Sequence, residues 1–173
     1  TGDWAVRNST ITESNNGLMA AVSEGNWVVS NTTISEYADD AIGAFGSEGA
    51  WTIRDSLLRN SPGEGCYSNA VGAENTTGTW TIVDTRIVNS TCAAVATWHS
   101  ESDWTVRNST LVDAEWGVGT RFSTGNWTVA NTTVREAEVG VWAPQTTGDW
   151  QVRSVTVRES ERGVSAREAS GNW

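Results

Sequence analysis

The sequence predicts an all-β solenoid: a single parallel β-helix of about seven coils, each built from three short strands. Three observations lead there. Eight tryptophans, Trp4, Trp27, Trp51, Trp80, Trp104, Trp127, Trp150 and Trp173, recur at spacings of 23, 24, 29, 24, 23, 23 and 23 residues, mostly behind a Gly-Asp or Gly-Asn pair. A fixed period of this size marks a stacked array in which one unit cannot bury its apolar face alone and its neighbours complete the core. Within each period apolar residues alternate with polar ones, the signature of strands rather than helices. Turns rich in Asn, Ser, Thr and Gly interrupt each repeat, and the unit is too short for a propeller blade of about 40 residues.

The elements follow in order when each Trp is counted as column one. Column three reads Val6, Val29, Ile53, Ile82, Val106, Val129, Val152, and column eight reads Ile11, Ile34, Leu58, Ile87, Leu111, Val134, Val157. These are the inward ladders of the first and second strands. A third ladder, near column fifteen, reads Leu18, Ile42, Val71, Val95, Val118, Val141, Val164, with a small Ala or Thr two residues later. The coils, starting at Trp4, Trp27, Trp51, Trp80, Trp104, Trp127 and Trp150, make residues 1–173 one domain. At ~4.8 Å per coil the rod is roughly 34 Å long. Trp shares strand parity with column three, so the indoles are expected inside the solenoid or under a corner, not as an outward stacking stripe.

Column five reads Asn8, Asn31, Asp55, Asp84, Asn108, Asn131, Ser154 and lies between two apolar strands. It is expected to form a turn ladder whose amides bond one another up the stack. Gly17, Ala41, Ala70, Ala94, Gly117, Gly140 and Gly163 precede the third strand, where small residues relieve a tight bend.

Composition narrows the function classes. Of the charged residues 21 are Asp or Glu and 11 are Arg, Lys is absent, and the net charge is -10. Nucleic acid is excluded as a partner, because that charge repels a phosphate backbone and no basic stripe reverses it. Self-repulsion of excess carboxylate is relieved by salt, and Arg pairs with carboxylates bidentately, so a high-salt setting fits. No apolar run is long enough to span a membrane and no signal peptide is visible, which suits a soluble chain or a mature fragment. The flanking Gly2-Asp3-Trp4 and Gly171-Asn172-Trp173 share one repeat phase. Open coils expose strand edges, so the expectation is a longer array or a homo-oligomer stacked head to tail into a filament.

The run V-x-N-S/T-x-I/L/V-x-E/D/N-S/A followed by G/A-V/I/L-x-A resembles the right-handed parallel β-helix repeat of the pectate-lyase-like superfamily, including its NosD-type and carbohydrate-binding members. The resemblance covers essentially the whole chain. It implies right-handed coils but no one activity, since that superfamily holds lyases, hydrolases, epimerases, adhesins and inert surface proteins. With its acidity, the chain is also similar to repeat-rich surface proteins of salt-loving archaea, which implies an extracellular or cell-surface address.

Candidate sites are then few. Sequons occur at Asn8, Asn31, Asn75, Asn89, Asn108, Asn126 and Asn131. The ladder members Asn8, Asn31, Asn108 and Asn131 are expected to face the core and carry no glycan, leaving the turn positions Asn75, Asn89 and Asn126. The longest repeat carries an excursion between Asn60 and Asn69 with Pro62, Gly63, Gly65 and Cys66, while Cys92 falls at the matching corner one coil on. A Cys66–Cys92 disulfide, implying an oxidising compartment, is preferred over two buried thiols. Column ten, Glu13, Glu36, Asn60, Asn89, Asp113, Glu136, Glu159, is an outward acidic line that neighbouring arginines can neutralise. No calcium-loop pattern accompanies it, so neither a metal nor a cofactor is expected.

The resemblance directs attention to the third strand's outer face, which reads Met19, Gly43, Gly72, Ala96, Gly119, Trp142, Ser165. Trp98, His99, Arg121, Phe122 and Trp142 lie on or near this small-residue floor and offer aromatic stacking and a guanidinium to a carbohydrate. Asp39, Asp40, Asp113 and Glu115 flank it. The Gly-His-Gly and paired-Asp signatures of polygalacturonase-like enzymes are missing, His99 is the only histidine, and no GxSxG elbow exists. The residues therefore argue against an enzyme and for a noncatalytic structural or adhesive module. The alternative is a polysaccharide-binding or polysaccharide-degrading domain.

Overall fold

The computed structural model describes residues 2–61, 66 and 68–173; Thr1, Pro62, Gly63 and Gly65 lie outside them. All described regular structure is β. The first strands of the coils, Trp4–Arg7, Trp27–Ser30, Trp51–Arg54, Thr79–Val83, Asp103–Arg107, Trp127–Ala130 and Trp150–Arg153, stack into a seven-stranded parallel sheet. Its register pairs Trp with Trp and Val or Ile with Val or Ile in every coil. The second and third strands form an eleven-stranded sheet, also parallel. The chain is a parallel β-solenoid of about seven turns.

The three-strand coil is modified in its second half. Arg86–Trp98, Thr110–Arg121 and Thr133–Trp142 run as single strands through the corner that breaks the earlier coils. Small residues explain it: Ser90, Ala114 and Ala137 stand in register there, so inter-coil pairing continues across the bend, with one register shift between Ser90 and Ala93.

The column-three, column-eight and column-fifteen ladders fill the core, with Val29, Ile34, Ile42, Ile53, Leu58 and Val71 fully enclosed. The periodic indoles are inside. Trp27, Trp51, Trp80, Trp104 and Trp127 are 1–3% exposed, and consecutive rings lie 4.6–5.1 Å apart with planes within 4–7°. Their Nε1–H groups, with that of Trp150, are buried without a hydrogen-bond partner. Each such donor costs about 1–3 kcal/mol. Burying some 150–250 Å² per ring contributes about 4–6 kcal/mol and offsets that cost, so area and ring contact, not hydrogen bonding, hold the stack.

Each coil turns its corners on left-handed residues. Column five does so at φ 48–53°, from Asn8 to Ser154, and column ten at φ 54–62°, from Glu13 to Glu159. Asn and Asp tolerate this conformation best, which accounts for their dominance in column five. Directly after it comes a buried hydroxyl ladder, Thr32, Ser56, Thr85, Ser109 and Thr132, each donating to the carbonyl two residues back at 2.7–3.0 Å. The hydroxyl closes the corner.

This corrects the expected orientation of the ladder asparagines. Asn8, Asn31, Asn108 and Asn131 are exposed, as are Asn75, Asn89 and Asn126. The left-handed backbone turns column five outward, because the hydroxyl that follows takes the interior place. Its amides do bond up the stack, Asn31 Nδ2 donating to Asn8 Oδ1 at 2.8 Å and Asn131 Nδ2 to Asn108 Oδ1 at 3.4 Å. The Asn-Ser/Thr-Thr runs thus arise from corner geometry, the asparagine supplying the bend and the next residue its clasp.

Candidate functional site

Two concavities lie along the faces of the rod, and a third, of about 550 Å³, lies in the last coil among Trp150, Val152, Val164 and Trp173. The largest, of about 1060 Å³, is a trough along the tryptophan strands. Its rim side chains are tied to the next coil: Asp3, Asn26, Asp103, Asn126 and Asp149 each accept a main-chain N–H through Oδ1 at 2.7–3.0 Å. These bonds hold Asp149 below the usual carboxylate range, chiefly through the Asn172 N–H. The rim does a structural job, stitching coil to coil.

The smaller concavity, about 470 Å³, lies on the third-strand face and concentrates chemistry. Strand register builds it. Glu74, Trp98 and Arg121 occupy one outward row, Trp98 pairing with Glu74 on one side and with Arg121 on the other. Gly72, Ala96 and Gly119 form the parallel row beneath, ending at Trp142. Trp116 stands in register with Ala93 and provides the opposite wall. The lack of side chains on the floor lets the indoles fold over it, so that a Cβ on Gly119 would lie 3.2 Å from the Trp98 ring and 3.4 Å from Trp116.

The three indoles make one cluster. Trp116 and Trp142 stack at 4.4 Å with 16° between planes, while Trp98 meets both edge-on at 5.8 Å. Beyond them the corner after the third strand places His99 and Phe122 in left-handed backbone, φ 51° and 53°. Their rings stack at 5.0 Å, and the Arg121 guanidinium sits 4.4 Å above Phe122. Such a cation–π contact fixes the guanidinium without neutralising it.

Trp98, His99, Arg121, Phe122 and Trp142 therefore all line one cleft. Trp116, Glu74 and Asn69 line it too and were missed. The signal for Trp116 was available, since it and Trp98 and Trp142 are the tryptophans outside the period. Glu74 could have been found only by extending the outward row from Trp98 by one coil.

Cys66 and Cys92 are disulfide-bonded, with Cα atoms 4.4 Å apart, and border the cleft. Glu115 has its carboxylate near the two sulfurs. Since both sulfurs are committed to the bridge, this group is not a metal site. Asp113 is exposed on its corner and stays outside the cleft lining. Ser68 closes the other end of the excursion, bonding Ser61 and the Asp39 carbonyl.

The acidic end lies beside Glu74. Asp40 extends over Gly72 and accepts the Asn69 N–H at 3.0 Å. Burial pushes its carboxyl up to about 7, assisted by Asp39 and Glu74. Glu74 is also raised, first by burial; His99 counters this and Asp39 adds to it. Burial and then Glu138 raise Glu115. One end of the cleft is thus carboxylate-rich, and the other carries Arg121, which forms no ion pair among the described residues.

No family model matches the chain, and no curated protein is similar to it. No described helix is long and apolar enough to cross a membrane.

Proposed function

We propose that the chain is a noncatalytic adhesive module of an extracellular or cell-surface protein, in which a β-solenoid rod presents a carbohydrate-binding cleft. The observation that carries this reading is the aromatic cluster of Trp98, Trp116 and Trp142 beside Arg121 and Glu74 on a glycine floor. Flat apolar rings with polar groups at their margins suit sugars, whose faces are C–H and whose edges are hydroxyls. A glycosidase needs two carboxylates about 5–9.5 Å apart across the scissile bond. Among the described cleft-lining residues only Glu74 is a carboxylate, and neighbouring Asp40 is bound to the Asn69 main chain, which favours binding over turnover.

The disulfide, the net charge of -10 and the absence of lysine support the surface address and a high-salt setting. The likeness of the repeat to pectate-lyase-like and NosD-type β-helices supports a carbohydrate partner. Exposure of the seven sequon asparagines is compatible with a glycosylated rod. Further coils, in a longer array or from another copy, would extend both sheets without altering the cleft.

Titration of the purified protein against a polysaccharide panel, with Trp98→Ala in parallel, tests the reading. The expected result is saturable binding that weakens about tenfold or more in the variant, with its melting temperature little changed. Binding to no member of the panel, or equal binding by the variant, would reject it.

A further inference from the structure

Glu74, Trp98 and Arg121 stand side by side in one outward row, each one coil from the next. Their backbone positions are therefore about 10 Å apart, two coil spacings, with an indole between them. They do not pair with each other, and neither forms an ion pair among the described residues. Both line the cleft. Building on the carbohydrate-binding reading, we propose that the cleft selects a dipolar glycan, one bearing an ammonium group and a carboxylate or phosphate on neighbouring sugars. The ammonium is received at Glu74 and the anion at Arg121, while the sugar faces between the two charged groups rest on Trp98.

The surroundings sharpen the dipole. Asp39 acts electrostatically on Glu74 and so reinforces that end, and Asp40 adds to it once its raised carboxyl ionises. Arg121 is held on the Phe122 ring, with His99 stacked on the other part of the same cluster. An anionic sugar chain satisfies Arg121 but meets Glu74 and Asp39 at the opposite end. A cationic one has the converse problem, and a neutral one leaves two partly desolvated charges without partners. Only a ligand with both signs, in the matching order, pairs each group. Glu74 is raised mainly by burial, an effect His99 counters, and it must be ionised to take part, so binding is expected to strengthen as the pH rises through its titration and to weaken again once the sugar amine loses its proton.

Four disaccharides of similar size separate the possibilities in calorimetric titrations at about pH 6, where an amino sugar, no more basic than an α-amino group, carries its proton: glucosaminyl-glucuronate, cellobiose, deacetylated chitobiose and digalacturonate. The dipolar disaccharide is expected to bind at least tenfold more tightly than the other three, as a charged hydrogen bond at each end implies. Glu74→Gln should erase its advantage over digalacturonate, and Arg121→Gln its advantage over deacetylated chitobiose. Both positions are at the surface, so the fold should tolerate either change. Equal or tighter binding of the neutral disaccharide, or of one carrying charges of a single sign, would overturn the dipolar assignment while leaving the carbohydrate reading intact. An advantage that survives both substitutions would overturn it as well. Failure of all four to bind would overturn this assignment, and the carbohydrate reading would fall with it only if the polysaccharide panel also goes unbound.

Discussion

Asp40→Asn should make the protein more stable at alkaline pH and leave it unchanged in acid. Asp40 is largely enclosed over the glycine floor, and its carboxyl is raised from the usual 3.8 to about 7, first by burial and then by Asp39 and Glu74. A carboxyl raised in the folded state opposes folding once the unfolded chain ionises. The penalty is absent below about pH 4, grows between about pH 4 and 7, and is constant above that. At about 1.4 kcal/mol per pH unit the full difference amounts to ~4 kcal/mol. Solvent reaching the partly open carboxylate reduces this to about 2–4 kcal/mol. Asparagine keeps an oxygen to accept the Asn69 N–H, now made at 3.0 Å, and adds no charge. Urea unfolding of both proteins from pH 4 to 8.5 isolates the effect, because every other carboxylate titrates in both. A stability difference independent of pH, or a variant less stable at pH 8, would refute the reasoning.

Val22 is β-branched yet left-handed at φ 52°, and it is 75% exposed; Val22→Gly should raise stability by about 1 kcal/mol in thermal unfolding, as glycine at the equivalent Gly46 already suggests. A Cβ on Gly125 would overlap the Ser102 carbonyl, whereas one on Gly163 meets nothing within 4 Å. Gly125→Ala should therefore cost about 3 kcal/mol or prevent folding, and Gly163→Ala should shift the urea midpoint little. Trp80→Ala removes a 2%-exposed ring from the middle of the stack and should cost about 3–5 kcal/mol, measured by the same unfolding assay.

Much of the architecture is legible along the chain because a solenoid repeats its environment. Each coil offers residue i the same neighbours as residue i plus one period, so Val29, Ile53 and Ile82 report one inward column without any knowledge of distant contacts. The Trp register, the three apolar ladders and the glycine-floored outer face follow from this translation. Strand parity alone places the indoles inside. Local corner geometry was less readable: Asn8 and Asn31 suited an interior ladder as well as an exterior one, and only the left-handed backbone with the clasping Thr32 hydroxyl turns them out. Merging of the second and third strands after Arg86 likewise depends on Ser90, Ala114 and Ala137 meeting across coils.

The sequence by itself determined the period, the inward columns and the membership of five cleft residues, since all of these are properties of position within the repeat. The tertiary structure decided which exceptions to the repeat meet. Trp116 and Glu74 are 42 residues apart, and no periodicity relates them. They share a cleft because one projects from each side of the same glycine floor, and because the Cys66–Cys92 bridge closes its border. Electrostatics followed the same division: the excess of acid is a count, but the raised carboxyl of Asp40 exists only where folding buries it over Gly72 beside Asp39 and Glu74. Repetition transmits short-range rules faithfully, and departures from repetition acquire meaning only through the neighbours that folding supplies.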